Sequence, residues 1–293
     1  MYLVVGATGL VGGAVARRLR ERGVPVRALL RGDPARPAAV ELVRAGVQAA
    51  SGDLALPATL DNACASATAI VCTATSMPAA GGDALQRIDH DGVLALIDAA
   101  ERARVTRFVY LSYSGGITTD SPLARAKRAC EARLLRSSMT AIVLRPSCFM
   151  EVWLGPHLGF DAANARARIY GEGTGRVRYV SASDVAAFAT AAATSDSSDD
   201  VVEIGGPRAV SQLDVVQVFE RLTGRRFTLD YVPGAALAAQ HRSDDPLQKT
   251  FASLMLAVAA GDAVPAALAS AERYGVPLTS IEDFAKSVVQ ALH

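Results

Sequence analysis

A glycine-rich turn near the start of the chain is the strongest sign of chemistry in this sequence. Gly6, Gly9 and Gly12 are spaced G-x-x-G-x-x-G, after a short apolar run and before an amphipathic segment. Backbone amides in such a turn, with the positive end of the following helix, suit a pyrophosphate. Glycine turns also join strands to helices that bind nothing, which is the alternative. The residues predicted to bind a dinucleotide here are Gly6, Thr8, Gly9, Leu10, Val11 and Gly12.

An arginine at the end of the second predicted strand bears on the choice of dinucleotide. Arg31 lies 19 residues after Gly12. An acidic residue in this place would accept hydrogen bonds from a ribose 2′-hydroxyl, whereas an arginine can pair with a 2′-phosphate. Arg31 therefore favours NADP as the cofactor. The nearby Asp33 keeps NAD possible, and an ordinary surface arginine is the other interpretation of Arg31.

Regular elements must position these residues, and the first half of the chain alternates between strands and helices. Strands are predicted at residues 3–5, 24–30, 47–50, 69–73, 107–112 and 140–144. Helices are predicted at residues 10–21, 37–44, 58–65, 83–102 and 124–136. Several strands are apolar throughout, as expected when helices cover both faces of a sheet. The pattern predicts an α/β fold with a doubly wound parallel sheet.

Ligands of such sheets bind beyond the carboxyl ends of the strands. Thr73, Ala74 and Thr75 stand where the fourth predicted strand ends, so we expect them to line the nicotinamide-ribose side of the site. In the first helix, the spacing predicts that Leu10 and Leu19 lie near the buried face, together with Ala14.

The regular alternation ends after Pro146. The sequence then predicts a helix over residues 181–194 with Ser183 as its N-cap, and a seventh strand over residues 201–204. The remainder is predicted to be mostly helical, with one strand over residues 227–232.

These elements divide the chain into two predicted parts. We expect a dinucleotide-binding domain over residues 1–150, completed by residues 181–205. Residues 151–293 are expected to form a smaller, mostly helical lobe that binds the substrate.

Composition argues against several classes of protein. Thirty basic and 29 acidic side chains give a net charge of +1, so no global field draws the chain to nucleic acid or anionic lipid. The four cysteines form no C-x-x-C pair and the four histidines have no metal-ligand spacing. We therefore expect no metal site and free thiols suited to a reducing cytosol.

The most membrane-like stretch, Phe251 to Ala271, is interrupted by Gly261, Asp262 and Pro265, which predicts two buried helices. Met1 leads directly into the first strand, so no signal peptide is predicted. The expectation is a cytoplasmic protein, monomeric or homodimeric, that acts on a small molecule and has neither a nucleic-acid nor a membrane partner.

Further motifs give the sequence a family resemblance. The glycine spacing is similar to that of extended and atypical short-chain dehydrogenase/reductases. The segments that stand in the order seen in NmrA-like proteins are Val26–Arg31, Gly52–Leu54, Arg107–Ser112, Leu144–Pro146, Phe149–Glu151 and Ser183–Ala186. The likeness extends from residue 1 to about residue 205. It implies a Rossmann fold that binds NAD(P).

The resemblance also implies roles for particular residues. Asp53 and the backbone of Leu54 would meet the adenine edge, with a turn-forming aspartate as the alternative. The family's usual proton donor is the tyrosine of Tyr-x-x-x-Lys, and the matching segment here begins with Leu123 and ends with Lys127. Lys127 would hold the nicotinamide ribose, and isoflavone-reductase-like relatives have a lysine in this place as the proposed catalytic group. The alternative is a solvated helix lysine.

Other candidates for catalysis and substrate binding follow the fifth and sixth strands. Ser112 and Tyr113 are possible replacements for the missing tyrosine, although Tyr113 can equally pack against a loop. An apolar, aromatic pocket wall is predicted, with core packing as the equal alternative. Its candidate residues are Phe149, Met150, Trp153, His157 and Tyr170.

Three functions remain open at this point. The favoured one is an NAD(P)H-dependent oxidoreductase that transfers hydride to a small apolar or aromatic carbonyl, enone or quinone. The second is a redox-sensing regulator that binds NAD(P) without turnover, a role that the lost tyrosine keeps open. The third is a cofactor-tethered monooxygenase or isomerase on the same scaffold.

Overall fold

The chain forms two compact units in a computed structural model that describes residues 1–32, 35–77, 83–198 and 201–292. The first unit comprises Met1–Ser112, Pro122–Arg145 and Val185–Val202. The second comprises Tyr113–Ser121, Pro146–Asp184 and Glu203–His293. Asp33, which weighed against NADP, lies outside the described residues.

A parallel sheet organises the first unit. Its strands are β1 (Tyr2–Val5), β2 (Val26–Leu30), β3 (Gln48–Ser51), β4 (Ala69–Cys72), β5 (Arg107–Leu111), β6 (Thr140–Pro146) and β9 (Val201–Ile204). Within the described residues the strand order is β3-β2-β1-β4-β5-β6-β9, and the pairs among β1 to β6 are parallel. The predicted doubly wound Rossmann fold and its returning seventh strand are confirmed. The order reverses between β1 and β4, which makes their carboxyl ends the switch point where ligands bind.

Helices connect these strands. They are α1 (Leu10–Glu21), α2 (Pro37–Arg44), α3 (Leu60–Cys64), α4 (Val93–Arg102), α5 (Pro122–Leu134) and α7 (Ala182–Thr194). The prediction for the buried face of α1 was wrong at Leu10, which is 57% exposed. Leu19 is buried, as predicted, and Val11 and Val15 share its buried face, because residues four apart lie on one side of a helix.

The long helix predicted over residues 83–102 is instead two consecutive segments. Leu85–Gly92 is a π-helix, and α4 continues from Val93. A Cβ on Gly92 would lie 2.6 Å from the Leu54 carbonyl oxygen, so glycine permits close backbone approach at the junction. π turns inside helices are frequent at functional sites.

The second unit contains more strand than the sequence predicted. The strand expected at residues 227–232 is confirmed as β10 (Thr228–Val232), which pairs in parallel with β8 (Arg166–Tyr170). β8 also pairs antiparallel with β7 (Phe160–Asp161). Periodicity missed β7 and β8 because β7 has two residues and β8 carries two arginines.

Short helices make up most of the rest of this unit. They are α6 (Met150–Trp153), α8 (Gln212–Thr223), α9 (Gly234–His241), α10 (Pro246–Ala260), α11 (Ala267–Tyr274) and α12 (Ile281–Gln290). Phe219 contacts Phe160 edge-on at a ring-centroid distance of 4.8 Å, in a core between helices and the small sheet. The two helices expected between residues 251 and 271 are confirmed as parts of α10 and α11.

Two further observations concern helix ends and lengths. The N-cap predicted at Ser183 is wrong, because Ser181 Oγ accepts the hydrogen bond from the Asp184 amide. None of the helices in the described ranges is long and apolar enough to cross a membrane.

Candidate functional site

The glycine turn joins β1 to α1 at the carboxyl edge of the sheet. Gly9 is the N-cap of α1 and has no side chain that could cap the first amides of the helix. The Gly9 amide donates to the Gly6 carbonyl at 2.9 Å, which closes the turn. Thr8, Gly9 and Leu10 are exposed, whereas Val11 and Gly12 are buried. The exposed residues therefore offer backbone amides and the positive end of a helix to solvent.

The three glycines of the motif have different physical roles. Gly6 has φ +85°, and a Cβ there would lie 2.8 Å from the Ala74 nitrogen. A Cβ on Gly12 would lie 2.3 Å from the Gly6 carbonyl oxygen, so Gly12 lets the helix pack against the turn. Gly9 has ordinary extended angles, and its Cβ would meet Gly6 oxygen at 3.2 Å. Gly6 and Gly12 thus allow the tight backbone packing of the turn, and Gly9 leaves its solvent-facing side open. We call this turn, Gly6–Gly12, the cradle, and its shape fits a pyrophosphate.

The segment after β4 closes the other side of the switch point. Thr73 Oγ1 donates to the Val5 carbonyl at 3.1 Å, which ties the ends of β4 and β1 together. Ala74 is half-buried and Thr75 is exposed. The structure therefore brings Thr73 and Ala74 next to Gly6, as their position after a strand suggested, and Thr75 follows them in the exposed loop.

The ends of β2 and β3 carry the residues expected near the adenosine half. Arg31 is exposed directly after β2. Asp53 is half-buried, and its Oδ1 accepts a hydrogen bond from the Ala55 amide at 2.9 Å. This is the turn-forming role that stood as the alternative for Asp53. Leu54 is buried in the apolar core of the first unit.

Lys127 is not a solvated lysine. The residue is 5% exposed on α5, and its Nζ donates to the Leu111 carbonyl, the last residue of β5, at 3.2 Å. Nζ also lies 3.8 Å from Asp89 Oδ1 and 5.0 Å from the centre of the Tyr110 ring. Leu123, which replaces the family tyrosine one helical turn earlier, is buried. The predicted neighbour Ser112 is also buried, directly after β5.

Asp89 is the residue that sequence reasoning missed. It is 0% exposed, and its Oδ2 accepts hydrogen bonds from both the amide and the hydroxyl of Ser76, at 2.8 and 2.5 Å. A signal was present in the sequence, because Asp89 shares the helical spacing of Leu85 and Leu96, which are buried. A carboxylate on that face requires a partner inside the fold.

The predicted pocket-wall residues all lie in the second unit. Phe149 and Trp153 are half-buried and His157 is exposed, whereas Met150 is fully buried. Tyr170 is buried, and its hydroxyl donates to the Leu158 carbonyl at 2.9 Å.

Two of these residues form a fixed aromatic pair. Tyr170 packs edge-on against Trp153, with 5.9 Å between the ring centres. Met150 and Tyr170 belong to the apolar core of this unit, and Trp153 packs against that core. Tyr113 is half-buried in the same unit.

A second buried carboxylate fixes the segment that follows Tyr113. Asp262 Oδ1 accepts from Ser114 Oγ at 2.8 Å and Oδ2 accepts from Ser147 Oγ at 2.7 Å. A Cβ on Gly116 would lie 2.4 Å from Asp262 Oδ1. These contacts hold residues 114–116 in one conformation within the second unit. No cluster of side chains able to hold a metal ion occurs among the residues described.

Comparisons with known proteins agree with this geometry. The family described as NAD(P)H-binding matches residues 6–196. An NAD(P)H azoreductase from Xenophilus azovorans is 33% identical over 229 residues, which cover 77% of this chain and 74% of that protein. The photosystem II assembly factor Ycf39 of Guillardia theta is 28% identical over 233 residues, which cover 79% of this chain and 73% of that protein.

The fold comparison gives the same result. The structure of an NADPH-dependent quinone oxidoreductase from Escherichia coli, complexed with NADPH, superimposes with a TM-score of 0.80 at 21% identity. The match covers 99% of this chain and 100% of that one, and at this identity it shows the shared fold. The chain therefore belongs to the NAD(P)H-binding family, within the NmrA-like, atypical short-chain dehydrogenase/reductases.

Proposed function

We propose that this protein is an NAD(P)H-dependent oxidoreductase that reduces a small apolar or aromatic carbonyl, enone or quinone. The observation that carries the proposal is the cradle at the end of β1, where Gly6 and Gly12 leave no room for side chains and Gly9 is exposed. The azoreductase and quinone oxidoreductase named above support a reductive activity on conjugated substrates. When bound, the dinucleotide supplies the hydride.

The residues of the first unit have separate tasks in this proposal. The amides at the start of α1 bind the pyrophosphate, because that end of the helix carries positive charge. Arg31 binds the 2′-phosphate, which makes NADP the preferred cofactor, and NAD a possible one. Thr73, Ala74 and Thr75 border the nicotinamide half, and Asp53 and Leu54 the adenine half.

The proton donor is proposed from what this chain retains in place of the family tyrosine. Lys127 holds the ribose hydroxyls and polarises a substrate oxygen, since an ammonium can donate three hydrogen bonds. Tyr113 and Ser112 are the other candidate donors. Phe149, Trp153 and His157 supply the pocket wall, with Met150 and Tyr170 packed behind them.

A second function is favoured by two particular observations. Leu123 is buried where the family places its catalytic tyrosine, so the usual proton donor is absent. The similarity to a photosystem II assembly factor also links this sequence to a protein whose name describes assembly rather than catalysis. The alternative is therefore an NAD(P)-binding regulator or assembly protein that does not turn the cofactor over.

Cofactor oxidation in the presence of candidate substrates separates the two functions. The purified protein is incubated with NADPH and a panel of benzoquinones, azo dyes and aromatic enones, and absorbance at about 340 nm is followed. The proposal expects a substrate-dependent loss of absorbance with at least one class. Tight NADPH binding in calorimetry, with no loss above the substrate-free rate across the panel, would instead favour the non-catalytic alternative.

A further inference from the structure

One buried carboxylate of the first unit contacts two elements that border the proposed cofactor site. Asp89 Oδ2 accepts both hydrogen bonds from Ser76, which follows Thr73–Thr75 after β4. Asp89 Oδ1 makes no hydrogen bond among the described residues and lies 3.8 Å from Lys127 Nζ. The two oxygens of one side chain thus face the β4 loop and the α5 lysine.

Three further titratable groups near Lys127 have pKa values that burial raises. Burial raises the pKa of Cys130 to about 12 and of Cys72 to about 11, and it raises the pKa of Tyr110 well above its usual value. Cys130 lies on α5, Cys72 ends β4, and Tyr110 is on β5 beneath the ammonium. Among the described residues, Asp89 is the carboxylate paired with Lys127, at 3.8 Å, whereas the carboxylate of Glu131, one turn further along α5, pairs with Arg128 and Arg145.

Burying this ion pair costs free energy that a purely structural contact would not require. A buried carboxylate and a buried ammonium each lose hydration, and their attraction offsets this loss only with good geometry and additional hydrogen bonds. The amide and hydroxyl of Ser76 donate hydrogen bonds to Asp89, and the Leu111 carbonyl accepts one from Lys127. Both anchored groups lie at the carboxyl edge of the sheet, beyond β4 and β5, where the cofactor is expected.

We propose that Asp89 is a positioning residue of the dinucleotide site, which holds the β4 loop through Oδ2 and orients Lys127 through Oδ1. This inference rests on the proposed function, because the β4 loop and the Lys127 ammonium are held in place to contact the nicotinamide half of a bound dinucleotide. The ion pair itself can be tested without any cofactor.

The sequence makes the test direct, because the chain has three lysines: Lys127, Lys249 and Lys286. Protein labelled with ¹³C at lysine Cε gives one titrating resonance per lysine, and Lys127→Arg assigns the buried one. In the cofactor-free protein, Asp89→Asn should lower the midpoint of the Lys127 titration by at least about one pH unit, a tenfold loss of proton affinity. The Lys249 and Lys286 midpoints should stay unchanged.

Two control variants separate charge from packing. Ser76→Ala removes one hydrogen bond to Asp89 but keeps the carboxylate, so the Lys127 midpoint should stay within about 0.3 pH units, well below the effect of a lost charge. Asp283→Asn removes the carboxylate 3.1 Å from the exposed Lys286, where solvent screens the pair, and should leave Lys127 unchanged. An unchanged Lys127 midpoint in folded Asp89→Asn would overturn the inference.

If Asp89→Asn does not fold, two other measurements test the proposal: the Lys127 midpoint in Asp89→Glu and the proton exchange of the Lys127 ammonium in the wild type. Glutamate keeps the charge, so the Lys127 midpoint should remain near the wild-type value. In the wild type, the ¹⁵Nζ protons of Lys127 should exchange slowly enough to be observed at neutral pH, unlike those of Lys286. A midpoint lowered by glutamate, or a Lys127 ammonium that exchanges as fast as Lys286, would contradict the proposal.

Dinucleotide binding is the second readout. Asp89→Asn should weaken NADPH and NADH by the same factor, about tenfold or more, because the lost contacts lie away from the 2′-phosphate. If the wild type binds neither dinucleotide, the proposed function fails while the lysine titration still decides the ion pair. If the titration shifts but both affinities are unchanged, Asp89 is structural and the positioning role is wrong.

Discussion

Arg31 is the residue whose removal should change cofactor choice with the least effect on the fold. It is exposed after β2, at the position where a 2′-phosphate is recognised. A charge-assisted contact to that phosphate contributes about 1.5–3 kcal/mol, so Arg31→Ala should weaken NADPH at least about tenfold and leave NADH nearly unchanged. Calorimetric titration with both dinucleotides measures this difference.

The matched control for that experiment is Arg44→Ala. Arg44 is another exposed arginine of the first unit, at the end of α2, and its removal should change neither affinity. Equal weakening of NADPH and NADH by Arg31→Ala, or a wild type that binds both equally well, would show that Arg31 does not select the 2′-phosphate.

At the scale of elements, different glycines of the turn between β1 and α1 serve ligand binding and helix packing, so substitutions can test the two roles separately. Gly9→Val adds a branched side chain at extended backbone angles, in the exposed mouth of the cradle. Gly12→Ala places a methyl group 2.3 Å from the Gly6 carbonyl, where the helix must move away from the sheet. We therefore expect Gly9→Val to fold with a small loss of stability, because its Cβ lies 3.2 Å from the Gly6 oxygen, and to lose dinucleotide affinity by at least about tenfold. Gly12→Ala should lose about 1–3 kcal/mol of stability as well.

Thermal unfolding followed by circular dichroism, together with calorimetric titration of NADPH, distinguishes these two substitutions. Gly23→Ala, just after the other end of α1, serves as a control for glycine replacement, since a Cβ there meets no atom within 4 Å, although its φ of +75° adds some strain. Wild-type NADPH affinity in folded Gly9→Val would place the pyrophosphate elsewhere.

At the scale of the whole molecule, two glutamates give stability opposite dependences on pH. Burial raises the pKa of Glu131, but hydrogen bonds from Arg145 and the charge of Arg128 outweigh it, so this pKa lies below its usual 4.5. Its contribution is therefore present above about pH 4.5 and is lost as the pH falls through the lower, folded-state pKa. Burial raises the pKa of Glu151, whose carboxylate accepts the Ala182 amide, so its contribution is lost as the pH rises.

Glutamine substitutions at these positions should therefore behave differently. Glu131→Gln leaves two arginines without their carboxylate and should cost about 3 kcal/mol at pH 7, a deficit that shrinks steadily as the pH falls below about 4.5. Glu151→Gln keeps an acceptor for the Ala182 amide and should cost little at pH 7. Urea unfolding midpoints between pH 3 and 8 measure both effects. A Glu131→Gln deficit that is as large at pH 3 as at pH 7 would assign its effect to packing rather than charge.

Much of the first unit follows from local patterns in the sequence. Apolar strands, amphipathic helices and glycine turns are short-range features, so they predicted the strands of the parallel sheet, the returning strand β9 and the cradle at Gly6–Gly12. The same reasoning failed where the local signal was short or mixed, as in the two-residue β7 and the arginine-bearing β8. It also placed Leu10 near the buried face, although the helix has the predicted bounds and Leu10 is exposed at its first position.

Tertiary structure alone decided the state of Lys127 and the importance of Asp89. The two residues are 38 positions apart, and nothing in the local sequence of α5 distinguishes a buried lysine from a solvated one. Packing of the π-helical segment against α5 places their charges 3.8 Å apart in the interior, where water cannot replace either partner. The sequence by itself thus determined which kind of ligand the chain is built to hold. The fold determined which charges are buried together, because the free energy of a buried charge depends on its neighbours in space and not along the chain.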